Sequence, residues 1–204
     1  MEAEIRENEK KVIAAFDFDG TIIKRDSLPL FILFAASFQQ LLLGSIRMSP
    51  FLLLLKLKLI PNARAKERLL RIFFAGLHLN EFNLLSERFI SRIEKMVNPL
   101  ALEKIKWHQR MHHEVVIISA SAENWIRPWA KKNGIDIVLA TRLQVTDNLV
   151  TGKLLSENCL GTEKVNRLLD KYPRREDYIL YAYGDSNGDK ELLELADHAF
   201  YRCF

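Results

Sequence analysis

The apolar positions of this chain fall into two kinds of pattern. In the first, short continuous runs end abruptly in small or acidic residues. Val12–Phe16 ("VIAAF") runs into Asp17, Val115–Ile118 within "EVVIIS" into Ser119, and Ile179–Tyr183 within "YILYAYGDS" into Gly184 and Asp185. "DIVLA" at 136–140 and "HAFYR" at 198–202 are shorter runs of the same kind. Such runs predict strands buried on both faces, as in a parallel sheet. Helical patterns separate them: Ala122–Asn133, closed by Gly134 as a C-terminal cap, then Thr162–Lys171 and Asp189–Leu195. This alternation predicts an α/β protein with a Rossmann-like open parallel sheet wound on both sides. "LQVTDNLVTGKL" at 143–154 interrupts it and predicts a hairpin turning at Asp147–Asn148.

The second pattern fills residues 26–98. No convincing strand occurs there, and "AKERLLRIFFAGL" and "EFNLLSERFISRIEKM" are amphipathic at helical spacing. The expectation is an all-helical cap, 26–98, inserted after the first strand of a core made from 1–25 and 99–204. The insertion is unusually apolar. "SLPLFILFAASFQQLLLGSI" (27–46) carries no charge, and "MSPFLLLLKLKLI" (48–60) adds a second run, with Lys56, Lys58, Arg64 and Lys66 in or after it. A membrane span needs about 20 apolar residues. Pro29, Ser37, Gln39 and Gln40 weaken the first run, and the second is too short. Two other readings stay open: a buried core for the cap, or a cap lying on a membrane surface with lysines at anionic headgroups.

Composition narrows the classes. A chain of 204 residues can bury one sizeable core, with or without a modest insertion. Hydrophobic content of 49% and charged content of 27% are those of an ordinary globular protein. The net charge of +4 suits phosphorylated ligands or anionic lipid. No basic run is interleaved with aromatics, which argues against a nucleic-acid partner. Cys159 and Cys203 are the only cysteines, too few for a disulfide framework and compatible with a reducing compartment. "MEAEIRENEKK" reads as a polar lead-in to the first strand and lacks the apolar stretch of a signal peptide. The expected location is cytoplasmic, either free or peripheral to the inner face of the membrane. His112–His113 reads as a solvated turn, and Trp125 and Trp129 as packing residues on one helix face.

The candidate chemistry sits where the strands end. Open α/β sheets bind ligands beyond the carboxyl ends of their strands. Asp17 and Asp19, two apart on extended chain, point to the same side. Their charges repel and raise each other's pKa unless a cation joins them. With Asp185 and Asp189 the cluster carries up to four negative charges, of which Lys164 offsets one. A divalent cation is the natural remainder, and oxygen-only ligands select Mg²⁺ over softer metals. Mg²⁺ favours a few carboxylates plus a phosphate, so the expected substrate is phosphorylated. An aspartate can attack phosphorus, while a second carboxylate protonates the leaving oxygen and then activates water. Each residue alone has a plainer reading as a helix cap or turn residue. The coincidence of three such strand ends favours a site.

"DFDGT" (17–21), Ser119 after an apolar strand, Lys164, and "GDSNGD" (184–189) resemble the four signature motifs of the haloacid dehalogenase-like hydrolase superfamily. The helical insertion after the first motif is similar to that of its phosphoserine-phosphatase-like subfamily. The resemblance implies Asp17 as nucleophile and Asp19 as general acid/base. It implies that Ser119, with main-chain groups at Ala120, holds the phosphoryl group, while Lys164 stabilises its charge. Asp185 would ligate Mg²⁺ together with Asp17 and the carbonyl of Asp19, and Asp189 would support the metal or orient Lys164. Gly20 and Gly184 would let the backbone come close. In this superfamily an acid/base aspartate at the position of Asp19 marks phosphatases and mutases rather than dehalogenases.

The same resemblance leaves the substrate open between a small phosphorylated metabolite and a lipid phosphate. Asp26 stands where phosphoserine phosphatases carry a glutamate that reads the substrate's amino group; it reads equally as the N-cap of the first insertion helix. "SAS" (119–121) replaces a glycine-rich continuation and is expected to crowd the site slightly. "CLGTEKV" (159–165) is similar to bacterial phosphatidylglycerophosphatases, which joins the apolar insertion to a lipid phosphate. A non-catalytic member that binds a membrane or partner through the insertion is the alternative, and the intact acidic quartet weighs against it.

Overall fold

A computed structural model describes residues 10–56 and 61–204. Residues 1–9 of the polar lead-in, and Lys58 with the end of the second apolar run, lie outside them. Five strands form one parallel sheet in the order β3-β2-β1-β6-β7: β1 (Lys11–Phe16), β2 (Glu114–Ala122), β3 (Ile137–Thr141), β6 (Tyr178–Gly184) and β7 (His198–Tyr201). The central strands are buried on both faces, as their unbroken apolar runs require. Ala14, Phe16, Val115 and Ile117 enter one core, and the alternating Ile13, Ala15, Val116 and Ile118 enter the other. The helices α7 (Thr162–Lys171) and α8 (Lys190–Leu195) cover the second face through Leu168 and Leu192. Helix α6 (Glu123–Lys132) covers the first through Trp125, Ile126, Trp129 and Ala130.

Register brings the strand ends together. Phe16 lies opposite Ile117 on one side and Tyr183 on the other. One step past Phe16 is Asp17; two steps past its partners are Ser119 and Asp185. The Asp17 N–H still donates to the Tyr183 carbonyl at 2.9 Å, which anchors the turn that follows.

Among the described residues five helices separate β1 from β2: α1 (Ser27–Ala35), α2 (Phe38–Lys56), α3 (Asn62–Phe74), α4 (Leu79–Glu94) and α5 (Pro99–Arg110). Asn98 caps α5 by accepting from the Leu100 N–H, with Pro99 at its first turn. The apolar stretch 27–46 divides between two environments. Helix α1 is core: Phe31 is fully buried among Phe74, Phe82, Phe89 and Trp125, with ring centroids 4.7–5.4 Å away. Helix α2 instead turns Phe38 (79% exposed), Leu42 (56%), Leu43 and Ile46 (63%) to solvent, while Gly44 and Met48 face inward. A buried cap core therefore describes α1 and not the outward face of α2 over residues 38–46. Among the described residues no helix is long and apolar enough to cross a membrane.

The hairpin forms as its sequence predicts. Strands β4 (Leu143–Thr146) and β5 (Leu149–Leu154) pair antiparallel, with Asp147 and Asn148 both at positive φ. It lies against α3. The Val150 carbonyl accepts from the Gly76 N–H, the Val150 N–H donates to the Leu77 carbonyl, and the Glu67 carboxylate accepts from the Leu154 N–H, each at 2.9 Å. His113 departs from the solvated turn expected of it. Its Nδ1 lies 2.8 Å from Nδ1 of the fully buried His108, whose Nε2 lies 2.9 Å from the Tyr183 hydroxyl. His112 alone is exposed.

Candidate active site

Asp17, Asp19, Gly20, Asp26, Ser119, Ala120, Lys164 and Asp185 line one cavity of about 430 Å³ beyond the strand ends, joined by Lys24, Arg25, Lys66 and Ser121 among others. Asp189 and Gly184 stand behind its wall. The cluster is organised around Lys164, which α7 carries into the interior. Its ammonium donates to Asp17 Oδ1 at 2.6 Å and to Asp189 Oδ1 at 2.5 Å, with all three side chains buried. Burial works against the lysine's charge, but the two carboxylates outweigh it and hold the ammonium above its usual range.

The four aspartates do different work because their surroundings differ. Burial pushes Asp17 up to about 7; Lys164 opposes this and Asp189 reinforces it. Burial also raises Asp189, but the Lys164 ion pair outweighs it and holds that carboxyl below its usual range. Asp189 Oδ2 accepts from the Ser186 hydroxyl at 2.8 Å and from the N–H groups of Ser186 and Asp185 at 3.0 and 3.2 Å. Asp189 thus fixes both Lys164 and the loop that presents Asp185. Burial pushes Asp19 up to about 6 against hydrogen bonds from Ser121 and Ser27. Its Oδ1 accepts from the Ser27 N–H at 2.9 Å, and its Oδ2 accepts a short bond from the Ser121 hydroxyl.

Gly20 and Gly184 make room for carboxylates. Gly20 has a φ of +81°, and a β-carbon there would lie 2.3 Å from Asp185 Oδ2. A β-carbon on Gly184 would lie 2.5 Å from that of Asp189. Asp26 caps α1 by accepting from the Leu28 N–H at 3.0 Å while still lining the cavity. Ser119 is buried and its Oγ accepts from the Ser121 N–H at 3.1 Å.

Carboxylate oxygens of Asp17, Asp185 and Asp189 lie within 4.8 Å of one another, as a shared cation needs. Neither side-chain oxygen of Asp185 accepts from a described donor, which leaves that carboxylate open to a cation. An all-oxygen donor set of this kind fits a hard divalent cation.

Sequence reasoning missed two residues here. Ser121 stood inside the quoted "SAS", read there only for its bulk, and the structure gives it hydrogen bonds that lead to Asp19. The Trp125 indole donates to the Ser27 hydroxyl at 2.9 Å, Ser27 donates to Ser121 at 3.0 Å, and Ser121 donates to Asp19. Lys66 read only as one basic residue of the insertion. Its ammonium in fact donates to the Ala120 carbonyl and to Asn158 Oδ1, both at 2.7 Å. Burial pulls it below its usual range, with Asp19 and Asp26 opposing.

Fold and site define an open α/β protein with an acidic, lysine-clamped centre at the carboxyl ends of its middle strands. Residues 14–194 match the family described as haloacid dehalogenase-like hydrolase, and the chain belongs to it. It is 29% identical over 198 residues to protein CicA of Caulobacter vibrioides, across 95% of this chain and 86% of that one. Over 114 residues it is 33% identical to probable phosphatase Rv3661 of Mycobacterium tuberculosis, across 52% of this chain and 39% of that one. A phosphoserine phosphatase solved as a phospho-aspartyl intermediate analogue shares the fold with a TM-score of 0.59 at 21% identity, over 92% of this chain and 84% of that one.

Proposed function

We propose that the chain is a Mg²⁺-dependent phosphomonoesterase acting through a phosphorylated Asp17. The observation that carries this is Lys164 bridging Asp17 and Asp189 beside Asp185, Ser119 and Asp19 on one cavity. Membership of a hydrolase family and a relative named a probable phosphatase support the phosphatase class.

Lys164 holds Asp17 Oδ1, so Oδ2 is the oxygen left to attack phosphorus. As that bond forms, the bond from phosphorus to the leaving oxygen breaks, and Asp19 passes a proton to that oxygen. Water then attacks the phosphorus on Asp17, Asp19 takes its proton, and phosphate leaves with Asp17 restored. A carboxyl at about 6 suits Asp19 to both transfers near neutral pH. The Ser119 hydroxyl and the Lys164 ammonium bind the transferring oxygens. Asp17 and Asp185, with the Asp19 carbonyl and Asp189 alongside, would hold Mg²⁺, which when bound neutralises phosphoryl charge and favours ionised Asp17. Residues 26–98 act as a cap over a core of 1–25 and 99–204.

The substrate is a phosphorylated small molecule or a lipid phosphate. The exposed apolar face of α2, with Arg47 next to it in sequence, favours the second, approached at the inner face of a membrane. Hydrolysis of an aryl phosphate with and without Mg²⁺ tests the class: activity without added metal, or full activity in Asp17→Asn, overturns it. A panel of phosphoserine, sugar phosphates and phosphatidylglycerophosphate identifies the substrate. Sedimentation with vesicles tests the surface: binding that ignores anionic lipid content counts against it.

A further inference from the structure

Lys66 is the one cation of the cavity wall that α3 supplies, and its two partners are neutral. A half-buried ammonium set against neutral oxygens gives up part of its hydration, so its contacts have to be specific to be kept. Those partners are parts of the site's own frame. The peptide between Ala120 and Ser121 is held at both ends: Lys66 binds its carbonyl at 2.7 Å, and its N–H donates to Ser119 Oγ at 3.1 Å. Because Ser119 Oγ accepts from the main chain, its hydroxyl hydrogen is left to donate elsewhere. The second partner, Asn158 Oδ1, also accepts from Thr141 Oγ1 at 3.2 Å, and Thr141 Oγ1 accepts from the Cys159 N–H at 3.0 Å. Lys66 therefore ties the tail of β2 to the end of β3 and to the loop that leads into α7 and Lys164.

Helix α3 is itself anchored, so the lysine is delivered from a fixed support. Glu67, next to Lys66, accepts from the Leu154 N–H of the hairpin at 2.9 Å. Gly152 of that hairpin sits so close that a β-carbon would lie 2.4 Å from the Arg71 α-carbon.

We propose that Lys66 is a positioning residue: it holds the Ala120–Ser121 peptide, and through it aims the Ser119 hydroxyl at the transferring phosphoryl group. This rests on the phosphatase reading for what Ser119 binds, but the hold itself exists without substrate.

The test compares Lys66→Met, Lys66→Arg, Ser119→Ala and the Lys66→Met/Ser119→Ala double variant with the parent protein. Two readouts are used: steady-state hydrolysis of phenyl phosphate with Mg²⁺, and amide hydrogen exchange at Ser121. In Lys66→Met, kcat is expected to fall about tenfold or more with KM within about threefold, and Lys66→Arg should recover part of the loss. The double variant should be no slower than Ser119→Ala alone, because both changes disable the same contact. Exchange at Ser121 should quicken about tenfold in Lys66→Met while that at Ile117, inside the sheet, stays unchanged. Additive losses in the double variant, no recovery by arginine, or unchanged exchange at Ser121 would overturn the proposal. A rise in KM alone would also overturn it, since that would make Lys66 a substrate-binding group. If the parent protein hydrolyses no phosphate ester, the phosphatase reading fails, and exchange at Ser121 still decides whether Lys66 holds the peptide. If Lys66→Met does not fold, Asn158→Ala removes the second anchor instead, and unchanged kcat and exchange there would count against the proposal equally.

Discussion

Replacing Lys164 with methionine removes the only described cation bonded to the carboxylates of the centre and leaves Asp17 and Asp189 facing each other in the interior. At an effective dielectric of about 20, each of the two contacts, 2.6 and 2.5 Å long, contributes roughly 5–7 kcal/mol of attraction before desolvation. Desolvation offsets most of that, and removing one partner of a buried pair costs about 3–5 kcal/mol net. The sign of the pH dependence follows from Asp17. Its carboxyl already stands at about 7, above its unfolded value of 3.8, so the folded state holds more protons across that window and loses stability as pH rises through it. Lys164 is the largest influence lowering that carboxyl, so the variant pushes it higher still. Urea unfolding without divalent cations, followed by fluorescence of the buried Trp125 and Trp129, should show a loss of about 3–5 kcal/mol near pH 8. Near pH 5, where Asp17 is protonated, the loss should shrink to about half or less. An equal loss at both pH values, or one under about 1 kcal/mol near pH 8, would refute the view that Lys164 neutralises buried charge.

Other consequences are as direct. His108 is fully buried and burial pulls it down to about 3, below its unfolded value of 6.5. The unfolded chain then binds the extra proton, so this contribution is present above about pH 6.5 and about 2 kcal/mol of it is lost between pH 7 and 5; His108→Leu should flatten that slope, and an unchanged slope argues against it. Ser121→Ala removes a hydrogen bond that lowers Asp19, so the limb of the pH–rate profile set by Asp19 should move to higher pH; a shift to lower pH contradicts its role. Phe31→Ala should cost about 3–5 kcal/mol, measured by urea unfolding, because four aromatic rings surround the side chain; a cost below about 1 kcal/mol would mean that α1 is not core.

Much of this was legible in the sequence because it follows from short-range rules. An apolar run buried on both faces announces its strand, and strand ends in a parallel sheet gather by register, so Asp17, Ser119 and Asp185 could be placed together from their runs alone. The Asp147–Asn148 turn announced itself through two residues that tolerate positive φ. What stayed hidden depends on contacts between distant segments. Lys66 reaches Ala120 across 54 positions and Ser121 reaches Asp19 across 102, and nothing local marks either. Charge pattern could not separate Lys66, turned inward on α3, from the exposed Arg64 two positions before it. Nor could apolarity tell α1 from α2, since both are apolar and only packing decides which face finds a partner.

The central claim is that Asp17 carries the phosphoryl group. Borohydride reduces an aspartyl phosphate to homoserine, so the enzyme should be mixed with Mg²⁺ and an aryl phosphate, quenched with borohydride, and its peptides sequenced by mass spectrometry. Homoserine at position 17, absent without substrate and absent in Asp17→Asn, is the expected result. Sustained hydrolysis with aspartate intact at 17, or with the reduced residue at another carboxylate, would contradict the account.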